Sequence, residues 1–396
     1  MTDMDTNHRG GPAGFVRTLS GKTSTSLVWP EYSGNRLYQT LGNLQVTPLA
    51  GLCFPDYATG DVLYLTGTTE VLIGADAANL LPRSNLAVKL TVTAARHVAK
   101  GLPFRGVPRE PSPYNPKVRY LKTEHGSTFA GPEHSLNRAE LLEQVPLTPS
   151  ISRFHFRLSS PARYTAGQYV MLDFSSHLDI GYSHMRDDDP LSINDDFTRT
   201  FTVSNPPGTP QGPFQAPEDG KFEITIRKVG RATELMFKHG LKGTHRTSDF
   251  ELDVKGFDGH FTITQDTGEA IGFVAAGVGI TPLLSALTTL DPDRLVVFWA
   301  VRQEDIGLVT DSLTQYPRYA KSFRIFISGM PDGEDGSGEL GLRDGGATVV
   351  PRRLAGKDVS DFEHVQKWYL CTSKPMREIV LGWLPGKEVI YEDFDY

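Results

Sequence analysis

Cysteine is almost missing: the 396 residues hold only Cys53 and Cys371, far apart in the chain. A disulfide framework is not expected, nor a zinc site, and an iron–sulfur cluster held by four thiolates of this chain is excluded. Positive charge is not in excess either. The formal net charge is -7, which speaks against a nucleic-acid partner, since phosphate binding needs a basic face. A local basic patch for one dinucleotide is compatible with it. No apolar run reaches the length needed to cross a bilayer, so no membrane partner is expected. Met1–Gly11 is polar, Gly-rich and lacks an apolar core, unlike a signal peptide, and a cytoplasmic location is the expectation. What is present is enough apolar material, 39% of residues, for real cores in two or three domains.

Three regions separate by pattern. From about Gly14 to Ala99, short β-rich runs alternate with turn signals: Thr25–Trp29, Leu44–Pro55, Val62–Gly67, Thr69–Gly74 and Leu86–Ala94, with a hairpin turn at Tyr57–Asp61. They predict a small antiparallel barrel or sheet. Lys100–Tyr120 holds five prolines and reads as a linker. From about Tyr120 to Thr262 the strands Arg153–Leu158, Gln168–Phe174, Phe197–Val203 and Phe222–Lys228 predict a β-barrel. An acidic insert, Ser175–Asp196, and a Pro/Gly-rich loop, Asn205–Gly220, interrupt it. From Ile263 onward strands alternate with helices. Ile271–Ala275 leads into a helix through Leu290, Leu295–Val301 and Phe323–Ser328 follow, and Lys367–Cys371 precedes a helix over Lys374–Leu384. That alternation predicts a parallel sheet. The fold class is multidomain, α+β with an α/β portion, divided 1–100, 101–120 (linker), 121–262 and 263–396.

Four stretches carry chemistry. Gly277-Val278-Gly279-Ile280-Thr281-Pro282 lies between a strand and a helix. Its glycines allow a tight turn and close approach of a ligand, the helix start suits a pyrophosphate, and Pro282 fits the first helical turn. A tight turn with no ligand is the plainer reading, and short glycine motifs are weak alone. In Arg199-Thr200-Phe201-Thr202 alternation puts Arg199 and Phe201 on one face and Thr200 and Thr202 on the other. An Arg can fork a phosphate, an aromatic can stack on a flavin ring, and a hydroxyl can bond a ring nitrogen; alone, this is an ordinary strand. Ile224–Thr233, with Arg227, Gly230, Ala232 and Thr233, enters a helix at about Glu234 with Thr233 as its N-cap. It offers a second anion site, or a plain strand-to-helix turn. Finally, Tyr369–Met376 places Cys371 at a strand end, where a lone Cys is usually only a small apolar residue.

Taken in order, these motifs resemble the ferredoxin-NADP reductase superfamily over roughly Ser150–Tyr396. The family's flavin-binding Arg-x-Tyr-Ser/Thr strand is matched by Arg199, Phe201 and Thr202, with Phe in place of Tyr. Its basic strand leading to a Gly and a Ser/Thr is matched by Arg227, Gly230 and Thr233. Its Gly-Gly-x-Gly-Ile-Thr-Pro motif, which binds the nicotinamide dinucleotide pyrophosphate, is matched over Ala276–Pro282 with Ala276 replacing the first Gly. Its Cys-Gly-Pro motif is matched at Cys371, although Thr372-Ser373-Lys374 separates it from Pro375. The end, Glu392–Tyr396, resembles the family's Glu-x-Phe close. The resemblance implies FAD in the barrel and NAD(P)H over Gly277–Thr281, with hydride passing from the nicotinamide C4 to the flavin N5 near Thr202. Cys371 would pack at the transfer site, and Arg302 is a candidate for a cofactor 2′-phosphate or a merely exposed Arg. Electrons would go on to a small-molecule substrate or an acceptor protein. A non-catalytic flavin-binding or interaction protein is the alternative.

The N-terminal region resembles the middle of a pyridoxamine-phosphate-oxidase-like split barrel, on Ser33–Arg36, Thr40–Leu44, Leu52–Asp56 and Thr59–Gly67. The barrel's opening strands have no counterpart here. Such barrels bind FMN at a dimer interface; this one reads either as an FMN site or as a non-binding module for a homodimer.

Overall fold

The computed structural model describes residues 6–21, 24–32, 38–107, 115–116, 118–124, 137–178, 197–207, 220–240, 250–329 and 346–391. The Ser33–Arg36 motif, residues 179–196 of the acidic insert, residues 208–219 of the Pro/Gly-rich loop and the Glu392–Tyr396 close lie outside the described residues. The chain divides into two compact units, Met1–Gly131 with Asp179–Thr198, and Pro132–Leu178 with Arg199–Tyr396.

The first unit holds β1 (Arg17–Ser20), β2 (Thr25–Pro30), α1 (Gln39–Val46), β3 (Leu49–Pro55), β4 (Val62–Ile73), α2 (Ala75–Leu80) and β5 (Leu86–Val98). They form one antiparallel sheet in the order β1-β2-β5-β4-β3. The apolar run in β2 reflects burial on both faces: Leu27 and Trp29 pack with Leu41 and Leu44 of α1, while Val28 packs with Ala77 of α2. The expected hairpin turn is present between β3 and β4, where the Asp56 carboxylate accepts from Ala58 N, Thr59 N and Thr59 Oγ1. Two expectations change. Residues 39–46, partly read as strand, form a helix because Leu41 and Leu44 lie on one helical face and are both buried. Val62–Gly67 and Thr69–Gly74 are one strand, continuous through a register shift at Thr66/Gly67.

The second unit opens with β6 (Asn137–Pro146), β7 (Ile151–Leu158), β8 (Tyr169–Asp173), α3 (Ser175–Leu178), β9 (Thr198–Thr202), β10 (Lys221–Arg227), α4 (Arg231–Gly240) and β11 (Glu251–Asp258). The sheet order is β10-β7-β6-β11-β8-β9. A bridge between Val203 and Ile224 joins its two ends, so the sheet closes into a barrel. Phe154, Phe156, Phe222 and Ile224 are fully buried in it. Sequence patterning passed over β6 and β11. Their outward positions carry charge, and only Ala139, Leu141, Leu252 and Val254 supply the buried apolar alternation. Arg138 of β6 meets Glu251 and Asp253 of β11 at 3.1 and 3.7 Å, which fits their pairing.

The rest is α/β: β12 (Ile271–Ala276), α5 (Thr281–Ala286), β13 (Leu295–Arg302), α6 (Ile306–Gln315), β14 (Phe323–Ser328), β15 (Thr348–Val350), α7 (Gly356–Ser360), β16 (Lys367–Cys371), α8 (Lys374–Trp383) and β17 (Glu388–Tyr391). All pairings are parallel, in the order β15-β14-β13-β12-β16-β17. Both faces are covered, which is why these strands are nearly continuous apolar runs. Phe273, Val297 and Trp299 pack with Leu283, Leu284 and Leu308 on one side; Val274, Val296 and Phe298 pack with Val359, Val380 and Leu384 on the other. The chain runs outward from β12 to β15 and then returns to β16. The carboxyl ends of β12 and β16 therefore flank a topological switch point, where open α/β sheets form their ligand crevice.

The barrel carries a testable acid sensitivity. Burial of Asp173 would raise its pKa, but bonds from Ser175 and the ammonium of Lys255, 2.9 Å away, outweigh it and hold the carboxyl below its usual range. A depressed folded pKa stabilises above the unfolded value, about 4, and the gain is lost as pH falls through the folded value. Asp173→Asn is expected to lower stability by on the order of 1 kcal/mol near neutrality, with wild type and variant converging in acid. Urea unfolding across pH checks this; a difference that grows on acidification would refute it.

Candidate functional site

At the end of β12 the chain enters a 3₁₀ turn, Gly277–Ile280, and then α5, with Pro282 in its first turn. The two glycines serve different purposes. Gly277 has φ +52°, in the left-handed region. Its carbonyl accepts a bond of 2.9 Å from the Trp299 indole, which ties the turn to β13. Gly279 is required by crowding: a Cβ there would lie 2.2 Å from the backbone oxygen of Cys371 and 3.2 Å from its Sγ. Val278 is half-buried against the core, and Thr281 and Pro282 are buried. The α-helix ends at Ala286 rather than Leu290. Residues Leu287–Thr289 tighten into a 3₁₀ turn, and the Thr289 hydroxyl bonds the Ala286 carbonyl, competing with the helix ladder.

Cys371 is buried at the end of β16, directly beneath this turn. The three residues that separate it from Pro375 lead straight into α8, which begins at Lys374 with Pro375 in its first turn. The turn after β12 and the end of β16 thus meet at the switch point, as two glycines and a small thiol permit.

On the barrel side, Arg199, Phe201 and Thr202 stay together on β9, all half-buried. Phe201 sits edge-on to Phe174 with ring centres 6.3 Å apart. Among the described residues, β9 and β10 are joined at the Val203–Ile224 bridge, reinforced by Ser204 N to Glu223 O at 2.8 Å and Ser204 Oγ to Thr225 Oγ1 at 3.0 Å. They are the two ends of the sheet rather than paired neighbours. Beyond the bridge, among the described residues, Arg199–Thr202 on one side and Thr225–Arg227 on the other form no ladder pairing, and this unpaired line is the seam.

Arg227 ends that seam and reaches the α/β part. One guanidinium nitrogen donates to the Ser150 hydroxyl at 2.9 Å, and the other bonds the Asp305 carboxylate. The latter nitrogen is also 3.6 Å from where a Cβ on Gly277 would stand. The seam and the glycine turn therefore share Arg227, and Gly230, Ala232 and Thr233 follow it. Here the expectation is corrected. α4 starts at Arg231, not Glu234, and Thr233 is its third residue rather than its N-cap. The buried Thr233 hydroxyl accepts from Val229 N and Gly230 N and donates to Gly230 O, so its bonding capacity is used within the turn. An anion at this helix start would meet its backbone N–H groups rather than the Thr233 hydroxyl.

Arg302 ends β13 with its side chain 72% exposed, 3.2 Å from Glu304. It stands apart from the packed turn, at the carboxyl edge of the sheet. Sequence reasoning missed Asp305, Ser150 and Trp299, which hold Arg227 and Gly277 in place. A strand-following acidic residue three positions after Arg302 was the one available signal for Asp305.

No family model matches the chain. Curated relatives do. Over 169 residues it is 24% identical to the phenol hydroxylase P5 protein of Acinetobacter pittii (strain PHEA-2), covering 42% of this chain and 39% of that one. Over 166 residues it is 26% identical to the ferredoxin–NAD(P)(+) reductase component of the naphthalene 1,2-dioxygenase system of Pseudomonas putida, covering 40% of each. Over 266 residues it is 23% identical to the reductase component of phenol 2-monooxygenase from Pseudomonas sp. (strain CF600), covering 63% of each. Two of these relatives are named as reductase components, one of a dioxygenase system and one of a monooxygenase. The chain spans between 39% and 63% of their lengths. Among solved structures, the FAD/NAD-binding domain of nitric oxide dioxygenase from Vibrio cholerae matches 65% of this chain and 98% of its own, at 13% identity and a TM-score of 0.45. An Amycolatopsis cytochrome P450 reductase matches 86% and 91%, at 18% identity and a TM-score of 0.43.

Proposed function

We propose that this chain is an NAD(P)H-oxidising flavoprotein reductase that binds FAD in the barrel and passes electrons to a separate acceptor, an oxygenase or ferredoxin partner. The observation that carries the reading is the shared position of Arg227, which ends the barrel seam and lies against the Gly277 turn. The residues present fit the two cofactors. Gly277 leaves open the space beside the Arg227 guanidinium, where a Cβ would stand 3.6 Å from its nitrogen, Gly279 lets the turn lie flat on Cys371, and Arg199 and Phe201 offer a fork and a ring on the seam. Bound flavin would supply the capacity to take a hydride and release single electrons. The chain supplies placement. The turn holds a pyrophosphate by its backbone, Arg199 and Arg227 carry positive charge to either side of the seam, Thr202 offers a hydroxyl, and buried Cys371 fills the floor and excludes water. On this reading 121–262 is the flavin domain and 263–396 the nucleotide domain.

The first unit fits a partial split barrel that acts as a homodimerisation module, supported by its antiparallel sheet and by apolar side chains left exposed at Leu49, Leu63 and Tyr64. A monomeric mass in light scattering would overturn that part.

The deciding experiment is anaerobic. The purified yellow protein is mixed with NADH or NADPH, and loss of flavin absorbance within the mixing time of a stopped-flow instrument is expected. An inert yellow protein would favour a flavin-binding module without catalysis, and a colourless protein with no flavin in an acid extract would end both readings.

A further inference from the structure

The ion pair between Arg227 and Asp305 is lopsided. Asp305 is 1% exposed. One carboxylate oxygen takes Arg227, while the other is buried with no hydrogen-bond partner among the described residues. Asp305 stands at the N-cap position of α6 yet makes no side-chain cap, so the helix start does not explain its orientation. Arg227 differs from its partner: its side chain is 23% exposed and borders the Gly277 turn. A buried carboxylate thus holds the same guanidinium nitrogen that borders the place where a pyrophosphate is proposed to sit.

We infer that Asp305 is a positioning residue that competes with the dinucleotide pyrophosphate for Arg227 and thereby weakens nucleotide binding. The inference rests on the nucleotide reading of the Gly277 turn. An anion over that turn attracts the same guanidinium. Drawing Arg227 toward it strains or breaks the bond to Asp305, which has no second partner among the described residues and would be left as an uncompensated buried charge. The pair therefore acts as a spring: it stores Arg227 close to the pocket and sets a cost on every bound nucleotide. Binding energy is limited in the ground state, which favours turnover over retention of the spent nucleotide. Ser150 anchors the other guanidinium nitrogen, so Arg227 can shift its allegiance without leaving the seam.

The test uses the full-length flavin-loaded chain and ADP-ribose, which carries the pyrophosphate but cannot be oxidised. Asp305→Asn keeps the shape of the side chain and removes its charge. It is expected to bind ADP-ribose about tenfold more tightly by calorimetry, the scale of one charge-assisted bond released, with adenosine affinity and the flavin spectrum unchanged. Arg227→Met is expected to bind ADP-ribose about tenfold more weakly, and in that background Asp305→Asn should give no gain. Equal affinity in wild type and Asp305→Asn, or a gain that persists without Arg227, overturns the inference while leaving the nucleotide site standing. If Asp305→Asn does not fold, unchanged ADP-ribose affinity in Arg227→Met overturns it instead. A wild-type chain that retains flavin but binds no ADP-ribose overturns the nucleotide reading as well.

Discussion

Gly279→Ala is expected to cut the rate of flavin reduction by NAD(P)H by about a hundredfold or more, the usual cost of displacing a reacting geometry by about 1 Å. The added Cβ would lie 2.2 Å from the Cys371 carbonyl oxygen and 3.1 Å from its carbon. Neither is the end of a flexible side chain. Both belong to β16, which is hydrogen-bonded to β12 and β17 and cannot retreat alone. The turn must lift away from the floor of the crevice instead. Overpacking of this kind also costs about 1–3 kcal/mol of stability. Gly277→Ala is the control: its strain comes from φ +52° rather than from a clash with backbone, and costs about 1–2 kcal/mol. Stopped-flow reduction and thermal unfolding of both variants separate the two mechanisms. Flavin content should stay at the wild-type level in each. If Gly279→Ala is reduced as fast as wild type, the turn is not where the nucleotide lies.

The second large effect is expected at Arg153. It is buried on β7, bonds Asp311 of α6 and lies 3.6 Å from Glu223 of β10, which also meets His155 at 3.3 Å. Arg153→Met would keep most of the packed stem and leave two carboxylates without their shared cation. Breaking a buried pair costs about 3–5 kcal/mol. The Asp311 and Glu223 side chains are 23% and 27% exposed, so water offsets part of this, and a loss of about 2–3 kcal/mol is expected. The lower melting temperature should come with slower flavin reduction, since this network ties the barrel to α6. A titration provides an independent check. The Tyr316 phenol is pushed up by burial first and by Glu223 next, while Arg153 pulls it down. Removing Arg153 should raise it further. An unchanged Tyr316 titration in a destabilised Arg153→Met would show that the loss came from packing alone.

Much of the candidate site was legible in the sequence because its parts are contiguous. The Gly277–Pro282 turn, the Arg199–Thr202 strand and the Arg227–Thr233 strand-to-helix segment are each short continuous runs, and a linear pattern shows them. Failures of local reading have local causes. Thr233 looks like an N-cap in sequence but serves as the third helical residue, since its hydroxyl reaches back to Val229 and Gly230. β6 and β11 were invisible because half of each strand is charged and its apolar half is short.

The amino-acid order alone determined the runs that become buried strands, the turn that needs glycine, and the shortage of thiols that excludes a four-thiolate cluster held by these residues. Only tertiary structure decided which groups meet. Arg227 finds Ser150 and Asp305 at separations of 77 and 78 residues, and Arg153 finds Asp311 at 158. Nothing in a linear pattern encodes such pairs, because they exist only where β7 and β10 of the barrel lie against Asp305 and α6 of the α/β part.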